Sequence, residues 1–130
     1  YERSAFEQLE RIVKQEHLDF VQLPYSVGLR EAERRLIPAA AESETAVIVN
    51  RPFEGGSLFR DVLREPVPES VRAYAASWPQ AFLKFILANP GVTCVIPGTG
   101  NPRHMRENAD AGSGRLPDAG EREELVRLIT

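Results

Sequence analysis

The chain has 130 residues, which suits one domain, and 42% of them are hydrophobic, enough for a packed core. A formal net charge of −3, with acids and bases interleaved, gives no footprint for nucleic acid or an anionic membrane, and neither is expected as a partner. The single cysteine, Cys94, excludes an internal disulfide and fits a reducing cytoplasm, and Cys94, His17 and His104 show no zinc-ligand spacing.

Taken in order, Phe6, Leu9, Ile12 and Val13 recur at helical spacing from Ser4 to about Glu16, with Ser4 and Glu7 placed as a capping box. A helix that starts this early, in a chain opening on Tyr1 rather than methionine, leads us to expect upstream sequence. Leu18 to Pro24 is expected as a strand closed by proline. A helix follows from about Arg30 to Glu42, with Ala32, Leu36, Ile37 and Ala40 on one side and a kink or early break at Pro38. Thr45 to Val49 is the clearest strand. Its apolar run Ala46-Val47-Ile48-Val49 is the pattern of a parallel strand buried on both faces.

Asn50 to Gly56 forms a loop whose paired glycines permit close backbone approach, and residues 64 to 70, with two prolines, are expected as a linker. A helix from about Trp78 to Ala88 buries Phe82, Phe85 and Ile86 and stops at Asn89-Pro90-Gly91. Trp78, Phe82 and Phe85 are assigned to the packing of helix on sheet, not to a pocket. Thr93 to Ile96 is the third strand, with Cys94 expected as core. Helices near Arg103 to Ala109 and Ala119 to Ile129 complete the chain. Strands alternating with helices imply parallel pairing. Three such strands need both faces and both edges covered, so self-association or a partner is expected.

Three phrases in series resemble aldo-keto reductases. Asp19-Phe20-Val21-Gln22-Leu23-Pro24-Tyr25-Ser26 is similar to the family's sixth strand. Ala46 through Asn50-Arg51-Pro52-Phe53-Glu54-Gly55-Gly56 looks like its seventh strand and phosphate loop. Val95-Ile96-Pro97-Gly98-Thr99-Gly100-Asn101-Pro102 through Glu107-Asn108 is similar to its eighth strand and adenosine-side helix. The resemblance runs from about residue 4 to the end. It implies an α/β fold, a partial (β/α)8 TIM barrel of three parallel strands with flanking helices. It also implies a parent enzyme that reduces carbonyls with NADP(H), NAD(H) being the alternative.

On that resemblance, Gln22 meets the nicotinamide carboxamide, for which its amide has donor and acceptor. Asn50 and Phe53 belong to the seventh-strand end and its loop. Asn50 stands where the family places a stacking aromatic. Gly55 and Gly56 offer backbone N–H groups to a pyrophosphate, or simply shape a turn. Thr99 and Asn101 stand at a helix N-terminus that favours anions, and equally suit a cap. Glu107 and Asn108 fall where the family contacts adenine. NADPH-preferring members carry a base and an arginine where this chain has Gly98 and His104. Arg103 is the neighbouring candidate for a 2′-phosphate, and His104 by itself reads as a solvated helix residue.

The family's catalytic aspartate, tyrosine, lysine and histidine come from strands upstream. Tyr25 and Lys84 do not stand in their places, so no catalytic residue is assigned. The chain by itself is expected to be inactive, a cofactor-side half-barrel to be completed by an N-terminal half. The rival reading is a non-catalytic half-barrel that self-associates through its strand edges.

Overall fold

The computed structural model describes residues 3–60, 62 and 64–130, so Tyr1 and the chain's opening lie outside it. Helix α1 (Arg3–Gln15) leads through a short turn to strand β1 (Phe20–Pro24). Ser4 is already helical there, and a capping residue must be non-helical, so the Ser4–Glu7 box does not cap this helix. The helix expected from Arg30 divides into a 3-10 turn (Glu31–Glu33) and α2 (Leu36–Glu42). Pro38 accounts for the break: it has no N–H for the Arg34 carbonyl, and its ring crowds that carbonyl. The apolar side holds across the break, with Ala32, Leu36, Ile37 and Ala40 all buried.

Strand β2 (Ala46–Asn50) pairs in parallel with β1, placing Gln22 beside Ile48 and Pro24 beside Asn50. A 3-10 stretch (Glu54–Phe59) and a short helix α3 (Glu69–Arg72) follow, the latter partly within the segment expected as linker. Helix α4 (Trp78–Leu87) is capped by Ser77, whose side chain accepts from the Gln80 N–H, and carries proline in its first turn, where no N–H is missed. It buries Phe82, Phe85 and Ile86, each contributing about 2 kcal/mol by removal from water.

Strand β3 (Cys94–Val95) pairs in parallel with β2, giving the order β1-β2-β3. The Thr93 and Ile96 N–H groups extend the ladder to Val47 and Val49 carbonyls, each at 2.9 Å. Pro97 then has no N–H to offer and the strand ends. Helices α5 (Pro102–Asp110) and α6 (Ala119–Ile129) close the described fold.

The three-strand parallel sheet with flanking helices agrees with the expected architecture. Its faces are unequal. Val21, Leu23, Val47 and Val49 are buried under the helices. On the other face Gln22 and Cys94 are exposed, Ile48 is half-buried, and Phe20 and Ile96 are 63% and 48% exposed. Two expectations are thereby corrected. Among the described residues β2 is covered on one face only, and Cys94 is an exposed side chain rather than core. Strand alternation is the cause: residues two apart share a face, and at Cys94 that face is left exposed, while α1 lies against its Gln22 and Pro24 end.

Candidate cofactor site

All three strands run the same way, so their C-terminal ends and the loops that follow gather on one side. There a cavity of about 750 Å³ opens between residues 51–59, 65–67, 76–79 and 96–108. Its position, outside the carboxyl ends of parallel strands, is where α/β folds collect ligands.

The loop after β2 is bent by its backbone. Arg51, Glu54, Gly55 and Gly56 all have positive φ, at 51°, 52°, 68° and 92°. Glycine adopts this region without the Cβ penalty that Arg51 and Glu54 bear. Gly56 donates its N–H to the Phe53 carbonyl at 2.8 Å, so it closes a turn. Both glycines and Phe53 line the cavity. Phe53 stacks in a tilted arrangement on Phe59 (4.9 Å between ring centroids), Phe59 on Phe82 (5.7 Å), and Phe82 on Trp78 (6.0 Å). This chain of rings ties the loop to α4 and gives the cavity a rigid apolar side.

The opposite wall comes from the end of β3 and from α5. Thr99, His104, Glu107 and Asn108 line it. Thr99 Oγ1 accepts from the Asn101 N–H (3.1 Å), and Asn101 Oδ1 accepts from the Arg103 N–H (2.9 Å). Asn101 is therefore the N-cap of α5, and neither it nor Arg103 lines the cavity. Gln80 on α4 holds this wall in place, donating from Nε2 to the Glu107 carbonyl at 3.1 Å.

Gln22 and Asn50 also lie outside the cavity wall. Both belong to the sheet face opposite the helices, in successive rows: the exposed Gln22 beside Ile48, and the half-buried Asn50 beside the buried Pro24. Asn50 directly precedes Arg51 of the wall, and its Oδ1 is buried without a hydrogen-bond partner. Such an oxygen is an acceptor awaiting a donor. Thus Phe53, Gly55, Gly56, Thr99, His104, Glu107 and Asn108 come together. Asn50 sits at the edge, and Gln22, Asn101 and Arg103 stand apart.

Several wall residues had no sequence signal. Glu65, Pro66 and Val67 come from the segment expected as linker. Trp78, assigned to packing alone, is buried in the core, lines the cavity, and donates from Nε1 to the Glu65 carbonyl at 2.9 Å. A tryptophan with one apolar side and one polar tip could have suggested a wall position.

Residues 3–120 match the model of the Aldo/keto reductase family. The chain belongs to this family. A relative in Escherichia coli (strain K12), an NADH-specific methylglyoxal reductase, is 27% identical over an alignment covering 78% of this chain and 39% of that protein. An aldo-keto reductase from Klebsiella pneumoniae, solved in complex with NADPH, superposes with a TM-score of 0.72 at 22% identity, covering 99% of this chain and 45% of that one. The holo form of one from Bacillus halodurans gives a TM-score of 0.69 at 21% identity, covering 95% and 46%. The chain thus spans less than half the length of these relatives, and its three-strand sheet is a part of their (β/α)8 barrel. The family uses nicotinamide cofactors, and three features here fit one: a cavity of suitable size, a glycine turn on its wall, and the unpartnered Asn50 Oδ1 beside it.

Proposed function

We propose that this chain is the cofactor-binding part of an NAD(P)H-dependent oxidoreductase that reduces aldehydes or ketones. The observation that carries the reading is the convergence of the glycine turn after β2 and the α5 entrance on one cavity of about 750 Å³ at the strand ends. Gln22, exposed on the sheet face opposite the helices, and Asn50 one row further on serve the nicotinamide end. Gly55, Gly56 and Arg51 meet the pyrophosphate, and Thr99, His104, Glu107 and Asn108 the adenosine end. Asn101 contributes by shaping the α5 entrance. When bound, the cofactor supplies hydride. This chain's own residues bind and orient it.

Carbonyl reduction also needs an acid to protonate the developing alkoxide. Tyr25 cannot serve: its ring is fully buried, and its hydroxyl is committed to Glu33 and Arg122. Lys84 is buried on α4 and donates to the Arg115 carbonyl at 3.0 Å, away from the cavity. On this reading the isolated chain is inactive, and the acid comes from a complementing half-barrel in a cytoplasmic enzyme. Protein-detected NMR with NADH and NADPH tests the reading. Shifts at Gly55, Gly56, Thr99 and Glu107, with no NADH consumption on adding methylglyoxal, are expected. An absence of shifts at millimolar cofactor would refute it.

The uncovered sheet face favours a second reading, a non-catalytic half-barrel that pairs with its own copy over Phe20 and Ile96. Light scattering of the purified chain distinguishes the two: a stable dimer without cofactor-induced shifts belongs to this second reading.

A further inference from the structure

Two walls of the cavity are tied together from behind by Gln80, a side chain that does not itself line the space. Gln80 is the third residue of α4 and completes a capping pattern with Ser77. Its N–H donates to Ser77 Oγ at 3.4 Å, and its Oε1 accepts from the Ala76 N–H at 3.1 Å. Such a cap needs only the side-chain oxygen, and glutamate serves it as well as glutamine. The amide nitrogen is surplus to the cap, and it is the group that reaches α5, donating to the Glu107 carbonyl at 3.1 Å. With an N–H at one end and a carbonyl at the other, the amide has a single satisfied orientation.

The far end needs that donor. Glu107 opens the last turn of α5, where carbonyls lack a partner within the helix, and the Ala111 N–H bonds to Asn108 instead, at 3.2 Å. Little else anchors α5. None of its residues is buried, and among the described residues the Gln80 bond is the one side-chain hydrogen bond that joins it to another element. Ala76 and Ser77 at one end of this link, and Glu107 with its neighbours His104 and Asn108 at the other, all line the cavity.

We propose that Gln80 is a positioning residue of this site: its amide nitrogen fixes how far the α5 wall stands from the start of α4, and so how tightly the cavity grips a dinucleotide. The inference rests on the cofactor reading above and concerns the shape of the site rather than the choice of ligand.

Gln80→Glu is the discriminating substitution. It keeps the oxygen for the Ala76 N–H and places a carboxylate oxygen against the Glu107 carbonyl, where a donor stood. NAD+ and NADP+ are titrated separately into the wild-type chain and the variant, with NMR following both walls. For whichever dinucleotide the wild-type chain binds, the variant is expected to bind about tenfold more weakly, as a lost hydrogen bond that leaves a carbonyl unpaired implies. At saturation the ligand-induced shifts should persist at Gly55 and Gly56 and shrink at His104 and Asn108. Without ligand, the Glu107 carbonyl carbon resonance should already have moved. Wild-type affinity in Gln80→Glu overturns the proposal and leaves the cofactor reading standing. So does a loss spread evenly over both walls, which a general loosening of the fold would give. Gln80→Met, of similar size and also without the donor, carries the same expectation should the carboxylate variant fail to fold. If neither dinucleotide moves the wild-type resonances, the cofactor reading falls and this proposal with it.

Discussion

Arg122 on α6 donates to Glu33 Oε1 at 2.6 Å, joining residues 89 apart in sequence. The same guanidinium donates to the Tyr25 hydroxyl (2.8 Å) and the Phe85 carbonyl (3.2 Å), and lies 4.3 Å from the Phe85 ring centroid. The Tyr25 hydroxyl in turn donates to Glu33, and burial followed by that carboxylate pushes its pKa well up. One side chain therefore fastens the last helix to the loop after β1 and to α4. Arg122→Ala leaves Glu33 and the tyrosine hydroxyl without their cation. It is expected to cost about 2 kcal/mol, as for hydrogen bonds to charged groups, measurable as a lower urea midpoint.

The start of α6 carries an acid-sensitive contact. Arg115 grips Glu121 with two bonds, of 2.6 and 2.8 Å, and Glu121 exchanges capping-box bonds with Asp118. The Arg115 guanidinium, followed by the Asp118 N–H, lowers the Glu121 pKa from 4.5 to about 2. A depressed folded-state pKa means stabilisation that is complete above the unfolded value and lost on acidification. Stability should thus fall from about pH 4.5 towards pH 2, and Glu121→Gln should flatten that part of a stability-against-pH curve.

Tyr74 offers a substitution of the opposite sign. Its hydroxyl is buried without a partner, and burial, then Glu121 and Glu124, raise its pKa to about 12. Tyr74→Phe removes an unpaired polar group while keeping the ring that Arg115 overlies at 5.9 Å. Stability should rise by about 1 kcal/mol, seen as a higher Tm.

Gly91 marks the tightest approach of the turn after α4 to α2. A Cβ there would stand 2.4 Å from Ile37 Cγ2, and Ile37 is core. Gly91→Ala should cost about 1–3 kcal/mol through overpacking, whereas Gly98→Ala, in open space, should be close to neutral. Thermal unfolding of both variants provides the comparison.

The periodic elements were legible because their cores are periodic: the Ala46–Val49 run, the Phe82/Phe85/Ile86 face of α4, and the capped final helix all fall where spacing places them. Two kinds of feature were not. Cys94 resembles any apolar-strand cysteine, and whether its face is covered depends on elements elsewhere in space. The wall from Glu65 to Val67 is made by tertiary folding of an aperiodic, proline-bearing stretch. For the site, chemistry alone left Thr99 and Asn101 open between ligand and cap. The hydrogen bonds give Asn101 the cap and leave Thr99 on the wall.

The row Gln22–Ile48–Cys94 across the uncovered sheet face has a practical consequence. Cys94 is this chain's one thiol, and it is accessible on the very surface whose covering is in question. A fluorophore attached there would act as a built-in gauge. Its emission would shift when a second copy or a complementing half-barrel settled over the strands, and would stay that of a water-exposed dye when a small ligand entered the cavity at their ends.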